Sequence, residues 1–217
     1  MVQQSKNYAY HSDRIEKLNN NLLELNSSLD QKVKERTVQL SQLNKRLEIQ
    51  AKTDALTGAF NRRALNSEIQ RQFNETAQQH NAVLAFAMLD VDYFKTYNDY
   101  YGHLKGDEIL QHLVQVIQSN LPEHAYLARY GGEEFAIILR NMPVVVVEKS
   151  LQHLLQIIRE YQFEHLSRTD HKQYVTVSIG VAYMDRNHPY PDIHELMKAA
   201  DQQLYLAKNA GRDQLRM

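Results

Sequence analysis

The sequence of 217 residues predicts an α+β domain of the ferredoxin-like type that follows a long coiled-coil helix. Two observations predict this fold class. Strand-like and helix-like segments follow one another as strand, helix, strand, strand, helix, strand, which is the split βαβ order. Before them, residues 12–52 contain neither glycine nor proline and carry apolar residues at spacings of three and four. We therefore expect a central antiparallel sheet with flanking helices and a separate helical extension.

The N-terminal helix is predicted from an apolar seam. The seam consists of Ile15, Leu18, Leu22, Leu25, Leu29, Val33, Leu40, Leu43 and Leu47. The eleven residues from Leu29 to Leu40 break the heptad as a four-residue stutter, which locally relaxes a left-handed supercoil. One helix cannot bury so narrow a stripe by itself. We expect residues 1–52 to form a parallel homodimeric coiled coil, the alternative being that the helix packs back on its own domain.

Residues 53–217 are predicted to form the folded domain, and hydrophobic periodicity assigns its elements. The predicted strands are 82–91, 125–128, 135–139 and 174–183. The predicted helices are 61–79, 106–120, one that begins at Pro143 and includes Ile158, and 193–210. Alternation of Val175, Val177, Ile179 and Val181 is typical of a strand, and Gly211 is placed to end the last helix.

Composition excludes several classes of protein. The net charge is -1, so no basic field favours a nucleic acid or an anionic membrane as partner. The absence of cysteine excludes disulfides, thiolate metal sites and a cysteine nucleophile. No apolar run is long enough for a membrane segment, and the N-terminus has no apolar signal core, so we expect a cytoplasmic chain. Its first residues resemble the middle of a helical connector, which predicts an upstream sensor domain outside this chain.

Residues 129–135 read Arg-Tyr-Gly-Gly-Glu-Glu-Phe between two apolar strands. Paired glycines suit the tip of a two-residue hairpin, which would place Gly131 and Gly132 in the turn. Glu133 and Glu134 follow at once. Adjacent carboxylates at such an opening suit a divalent metal and phosphate groups, and the alternative is a solvated turn.

A second pair of carboxylates ends the first strand at Asp90 and Asp92. If this strand pairs with the hairpin strand, Asp90 and Glu133 can converge on one point. Oxygen ligands from two strands suit Mg²⁺ or Mn²⁺, with phosphates and water completing the shell. The alternative is that Asp90 and Asp92 cap the next helix.

Polar residues after this strand complete a possible nucleotide site. Lys95 would neutralise phosphate charge, and Asn98 and Asp107 would read a base edge. Asp107 favours guanine, because a carboxylate accepts from guanine N1–H and N2–H₂ and adenine has no such pair of donors. For Asn98 and His103 the alternative is a capping or loop role. Lys208 and Arg212 would bind phosphates or only complement the dipole of the last helix.

These motifs together resemble the GGDEF domain, the catalytic domain of bacterial diguanylate cyclases, over about residues 54–215. The matching residues are Asp54-Ala55-Leu56-Thr57-Gly58, Asn61-Arg62-Arg63, Asp90-Val91-Asp92, Phe94-Lys95, Asn98-Asp99, Gly102-His103, Gly106-Asp107, Gly131-Gly132-Glu133-Glu134-Phe135, Ser178-Ile179-Gly180, Ala207-Lys208 and Gly211-Arg212. Glu in place of the Asp of the family name is a common active form. The resemblance implies a nucleotidyl-cyclase palm fold.

The resemblance also implies a reaction in which two GTP molecules condense to cyclic di-3′,5′-GMP and two pyrophosphates between two facing domains. Each GTP site would hold two Mg²⁺ or Mn²⁺ ions. The implied metal ligands are Asp90, the Val91 carbonyl, Glu133 and Glu134. The implied catalytic residues are Glu133, Glu134 and Lys95, and the implied substrate-binding residues are Phe94, Asn98, His103, Asp107, Lys208 and Arg212. Alternatives are an inactive GTP- or effector-binding module and a synthase of another purine dinucleotide.

Two positions depart from the family pattern. Many members carry Arg-x-x-Asp before the signature, where it binds product and inhibits. Pro122 and Ala125 stand at these positions here, so we predict no product inhibition through that primary site. Asp213 replaces a usual Asn, and the sequence attaches no consequence to it.

Overall fold

The computed structural model describes residues 2–79 and 82–217, and of residues 2–13 it describes only the helical backbone. Contacts divide the chain into two compact units, one that ends at Ala51 and one that begins at Lys52. In the described part of the chain, no helix combines the length and the apolar character needed to cross a membrane.

The first unit is a single helix, α1, which spans Val2–Lys52. This confirms the helix predicted from the seam. Every described side chain from residue 14 to residue 52 is exposed. The seam residues from Ile15 to Leu47 are 52–66% exposed, so a continuous apolar stripe is left uncovered along the helix.

The second unit contains five helices and five strands in its described residues. The helices are α2 (Arg62–Gln78), α3 (Phe94–Tyr101), α4 (His103–Asn120), α5 (Val144–Glu160) and α6 (Ile193–Asn209). The strands are β1 (Leu84–Val91), β2 (Tyr126–Gly131), β3 (Glu134–Arg140), β4 (Val177–Met184) and β5 (Leu215–Arg216).

The strands form one sheet in the order β2-β3-β1-β4-β5. β1 is antiparallel to both β3 and β4, and β5 adds a short parallel edge beside β4. The predicted order of strands and helices and the predicted place of β1 beside the hairpin are therefore confirmed. β5 was not predicted, because two residues carry no periodic signal.

Helices cover both faces of the sheet. α3, α4 and α5 pack with Ala85, Ala87 and Leu89 of β1, whereas α2 and α6 pack with the alternate residues of the same strand, such as Phe86. A strand buried on both faces reads as a continuous apolar run. The apolar run ends at Asp90, which places a buried carboxylate near the end of β1.

Further differences from the predicted elements concern α3 and the start of β4. α3 was not predicted, and it is separated from α4 only by Gly102, which has a positive φ of 85°. The strand predicted from residue 174 begins at Val177, because the residues before it pair elsewhere. Tyr174 bridges Glu164, and the Val175 N–H donates to the Phe163 carbonyl over 2.8 Å.

Candidate active site

The carboxylate end of β1 lies between the ends of two neighbouring strands. Asp90 is opposite Glu134 on β3 and opposite Ser178 on β4. The Val91 N–H donates to the Glu133 carbonyl over 3.4 Å. The sheet therefore brings Asp90 next to the Gly-Gly-Glu-Glu turn, as the sequence predicted.

Lys208 partly balances the negative charge of the buried Asp90 carboxylate. The residue is only 7% exposed, and its Oδ2 accepts from Lys208 Nζ over 2.8 Å. Burial raises the pKa of Asp90 to about 6, against the opposing effect of Lys208. The negative charges of Glu133 and Asp92 raise the pKa further. The site thus concentrates more negative charge than one lysine offsets.

The turn of the hairpin is shifted by one residue from the prediction. Gly131 belongs to β2 and pairs with Glu134, so that Gly132 and Glu133 form the turn. Gly132 has a φ of 53°, as expected for the first central position of a type II′ turn. The shift arises from an irregular register between Arg129 and Gly131. It places Glu133 at the tip.

Arg129 fastens this turn to the start of the folded unit. Its Nε donates to the Gly132 carbonyl over 2.9 Å, and its Nη1 donates to Asp54 Oδ1 over 3.0 Å. Asp54 Oδ1 also accepts from the Thr57 backbone N–H and hydroxyl. The motif that begins at Asp54 therefore supports the signature turn.

The oxygen donors at this edge fit a hard divalent cation. Asp90 and Glu133 lie close enough to raise the pKa of Asp90, and Lys208 supplies a cation at Asp90 Oδ2. Carboxylate and carbonyl oxygens are ligands that Mg²⁺ and Mn²⁺ accept. Among residues 14–79 and 82–217, no three His, Asp or Glu side chains gather closely enough to enclose an ion. Phosphate oxygens and water would complete such a shell.

The Asn98 side chain lies against α4 at Gly106, the residue before Asp107. A Cβ added to Gly106 would lie 1.8 Å from Asn98 Oδ1, so only glycine leaves room for this amide. Asn98 Oδ1 is buried and has no hydrogen-bond partner within the described residues. Asn98 thus has an unused acceptor oxygen beside Gly106, and Asp107, the next residue of α4, is exposed.

Within the described residues, four other predicted site residues make no hydrogen bond or ion pair with the Asp90 carboxylate. Lys95 and His103 are exposed, with no hydrogen bond or ion pair to the Asp90 carboxylate in the described residues. Phe94 is 7% exposed and packs in the core, so that a contact with a nucleotide stays a prediction. The Arg212 guanidinium lies 4.5 Å from the centre of the Tyr93 ring.

Asp92, which the sequence singled out with Asp90, is a buried acceptor whose structural role was not predicted. It is 1% exposed and accepts from Thr176 Oγ1 over 2.6 Å, from Ser178 Oγ over 2.7 Å and from the Asp213 N–H over 3.0 Å. The alternative that Asp90 and Asp92 cap the next helix is wrong, because the N-cap of α3 is Tyr93 and has no side-chain cap. Asp92 instead joins β1, β4 and the segment after α6.

Asp213 is anchored by two cations. Its carboxylate accepts from Arg159 Nε over 2.8 Å and pairs with Lys172. Its carbonyl accepts from Arg159 Nη2 over 2.7 Å. An Asn at this position would offer no charge to either cation, so the Asp has a structural consequence that the sequence did not reveal.

Lys208 reaches Asp90 because α6 packs closely on β4. A Cβ on Gly180 would lie 1.9 Å from the Leu204 N and 2.3 Å from the Ala200 carbonyl oxygen. Both are backbone atoms of α6 and cannot move aside cheaply. The close approach of α6 therefore explains why the Ser-Ile-Gly motif has glycine at position 180.

Comparisons with known proteins show the family to which the chain is similar. Residues 51–214 match the family model described as "Diguanylate cyclase, GGDEF domain". The chain is 31% identical over 174 residues to a probable diguanylate cyclase, DgcC, of Escherichia coli K12, and covers 80% of itself and 45% of that protein. It therefore spans less than half the length of that curated relative.

Solved structures are similar in fold. One is the coiled coil and GGDEF domain of DgcB from Caulobacter crescentus in complex with c-di-GMP, with a TM-score of 0.72, 29% identity and coverage of 87% of this chain and 98% of that one. Another is the active GGEEF domain of a Vibrio cholerae diguanylate cyclase, with a TM-score of 0.59, 32% identity and coverage of 72% and 95%.

Proposed function

The chain belongs to the GGDEF family of diguanylate cyclases, and from this membership we propose that it condenses two GTP molecules to cyclic di-3′,5′-GMP. In each half-reaction the 3′-oxygen of one GTP bonds to the α-phosphorus of the other. The bond from that phosphorus to pyrophosphate breaks, and the hydroxyl proton passes to a base. Two such steps close the ring and release two pyrophosphates.

The observation that carries this proposal is the meeting of Asp90 with the signature turn at the ends of β1 and β3. Glu133, at the tip of that turn, would help to take the proton of the 3′-hydroxyl, with Glu134 beside it. In-line phosphoryl transfer requires a positioned oxygen nucleophile and neutralisation of charge on phosphate.

Mg²⁺ or Mn²⁺, two per GTP site, would be held by the Asp90, Glu133 and Glu134 carboxylates and the Val91 carbonyl. When bound, the ions would neutralise phosphate charge and favour ionisation of the 3′-hydroxyl. This assignment uses oxygen donors from the two strands that the sheet joins.

Cationic and polar side chains would position the nucleotide. Lys95 would stabilise the transition state, and Lys208 and Arg212 would bind the β- and γ-phosphates. Guanine would lie between Asn98 and Asp107, where the amide has spare bonding capacity. His103 and Phe94 would contribute to the same nucleotide site.

Residues 53–217 would form the catalytic domain and residues 1–52 the dimerisation helix. The uncovered seam of α1 supports a parallel homodimer, because a stripe 52–66% exposed is buried well by a second copy. A dimer would hold two substrates in register, which contributes roughly 7–11 kcal/mol in well-oriented reactions.

The stutter gives the helix two ways to continue its seam. From Leu29 a continuous heptad places Lys32 at the seam, whereas the stutter places Val33 there. A signal from an upstream sensor domain would shift the balance between these registers and so control turnover. Since the chain has no cysteine, Lys32→Cys and Val33→Cys disulfides would lock one register each. Equal turnover of the two oxidised dimers would contradict control by register.

Product analysis tests the proposed reaction. The protein is incubated with Mg²⁺ and GTP, ATP or both. Cyclic di-GMP should form wherever GTP is present, and no product should contain adenine. Glu133→Gln and Glu134→Gln should abolish turnover, whereas Glu123→Gln, an exposed carboxylate before β2, should leave it unchanged. GTP binding without turnover in every version would instead favour an inactive binding module. A mixed purine product would contradict the assignment of guanine.

A further inference from the structure

The connection between α5 and β4 folds back as a small antiparallel pair. The His165 N–H donates to the Gln173 carbonyl over 2.8 Å, and Glu164 bridges Tyr174. Residues 164–167, called the strap below, are held by this pairing. The strap lies outside every motif that carries the family resemblance.

The strap contacts α3 from one end to the other. His165 Nε2 donates to the Tyr93 carbonyl over 3.2 Å, and Ser167 Oγ donates to the Thr96 carbonyl over 3.1 Å. At the other end, the Tyr101 hydroxyl accepts from the Leu166 N–H over 3.0 Å and donates to Glu164 over 3.1 Å. Four side-chain contacts therefore join four consecutive residues to one short helix.

His165 is the buried centre of this contact. It is 0% exposed, its ring packs edge-on against Tyr97 at 5.1 Å, and its Nδ1 lies 3.3 Å from Ser167 Oγ. A carbonyl oxygen only accepts, so the Nε2 atom must carry the proton in the bond to Tyr93. Tyr93 has a φ of 58°, in the left-handed region that tyrosine rarely adopts.

α3 depends on such contacts because it is short. Its eight residues make about two turns, and helices of that length are not stable by themselves in water. The helix nevertheless carries Lys95 and Asn98, which the proposed reaction requires at fixed places. Whatever fixes α3 on the domain therefore fixes both groups.

Arg168, the residue after the strap, shares the Tyr93 ring with Arg212. Arg168 and Arg212 both lie over the Tyr93 ring, at 4.9 Å and 4.5 Å from its centre. Arg168 is itself fixed by Asp170 and Thr176. Tyr93 thus links the strap side of the domain to a cation proposed to bind phosphate.

We propose that the strap positions α3, and that His165 and Ser167 are positioning residues for Lys95 and Asn98. They act through the Tyr93 and Thr96 carbonyls and touch no substrate. The inference rests on the proposed function for its effect on turnover, but the effect on α3 itself is independent of any reaction.

Hydrogen exchange of the nucleotide-free domain, together with GTP turnover, tests the inference. His165→Leu removes the donor and keeps an apolar body, whereas His165→Gln keeps an N–H donor at similar reach. Ser167→Ala removes the second donor, and Thr169→Ala alters an exposed threonine in the same connection as the control. We expect His165→Leu and Ser167→Ala to speed exchange of the α3 amides at least about tenfold, with β1 and β3 unchanged.

Turnover should fall about 10- to 100-fold in His165→Leu, because small displacements of catalytic groups slow reactions by factors of this size. His165→Gln should restore most of the turnover. Unchanged α3 exchange in Ser167→Ala would overturn the inference, even if His165→Leu fails to fold. Turnover of His165→Gln that is no higher than that of His165→Leu would also overturn the inference. Wild-type protein without turnover, but with faster α3 exchange in Ser167→Ala, would refute the proposed function and leave the strap standing.

Discussion

Lys208 Nζ lies 2.8 Å from Asp90 Oδ2, so that the last turn of α6 places a cation on the carboxylate that ends β1. Despite this partner, burial keeps the pKa of Asp90 raised to about 6. The ionised carboxylate is therefore a net cost to the folded domain until further positive charge arrives. A site prepared for divalent cations has this property.

The raised pKa predicts a pH-dependent effect of Asp90→Asn on stability without metal. The folded domain keeps the Asp90 proton up to about pH 6, whereas an ordinary Asp releases it near 3.8. Between these values the folded state binds more protons, so the free energy of unfolding falls as pH rises, by at most about 3 kcal/mol. Asp90→Asn should therefore be more stable than wild type at pH 7.5 and nearly equal to it at pH 4.

Melting temperatures in a chelating buffer at both pH values check this prediction. Asp201→Asn, an exposed carboxylate on α6, is the matched control and should show no pH-dependent difference. A difference between Asp90→Asn and wild type that is the same at pH 4 and pH 7.5 would contradict the account of Asp90.

Arg129→Lys should impair the signature turn with little loss of stability. Arginine bonds the Gly132 carbonyl and Asp54 through separate nitrogens, and a lysine amine cannot hold both in this geometry. We expect turnover to fall at least about tenfold, because small shifts of catalytic groups are costly. Steady-state kinetics and melting measure the two effects. Arg186→Lys, which changes an exposed arginine, serves as the control. Turnover at the wild-type level in Arg129→Lys would show that Arg129 is not needed to hold the signature turn.

Added cyclic di-GMP should not inhibit through the region before β2. Pro122 and Ala125 offer neither a guanidinium nor a carboxylate, and the Ala125 N–H bonds the Pro122 carbonyl over 2.9 Å. Turnover measured against added product should show no saturable inhibition from product bound at residues 122–125, whereas a Pro122→Arg, Ala125→Asp double variant should gain such inhibition. Strong inhibition of the wild type, with product bound at residues 122–125, would refute the prediction.

Gly180→Ala should destabilise the domain. The added Cβ would meet backbone atoms of α6 at 1.9 Å and 2.3 Å, and overpacking of this kind costs about 1–3 kcal/mol or more. Gly131→Ala is the control, since its Cβ would meet no heavy atom within 4 Å. Denaturant midpoints compare the two variants. Equal midpoints would mean that α6 does not pack on β4 as closely as described.

The order of β1 to β4 was predictable because each of these strands carries its own apolar pattern and because β1 is apolar on both faces up to Asp90. α3 escaped prediction, since the eight residues Phe94–Tyr101 are too few to show a clear period and the helix depends on contacts with the rest of the domain. The hairpin tip was misplaced by one residue, because the irregularity between Arg129 and Gly131 leaves no mark in the sequence.

The candidate site was predictable where its residues follow strands, as at Asp90 and Glu133. The buried role of Asp92 was not, because its partners Thr176 and Asp213 lie 84 and 121 residues away in the chain. The contact between His165 and the Tyr93 carbonyl spans 72 residues and likewise has no local signal. Side-chain bonds over such separations depend on the completed fold.

In the proposed function, one folded unit supplies half of a diguanylate cyclase and the α1 seam brings two such units together. The most direct test of this claim is GTP turnover with Mg²⁺ over a range of protein concentrations, for wild type and for Leu22→Lys, with Asn20→Lys as an off-seam control. We predict cyclic di-GMP as product, with specific activity that is constant for wild type and Asn20→Lys but rises with concentration for Leu22→Lys. Specific activity independent of concentration in Leu22→Lys, with the variant shown to be monomeric, would contradict the claim.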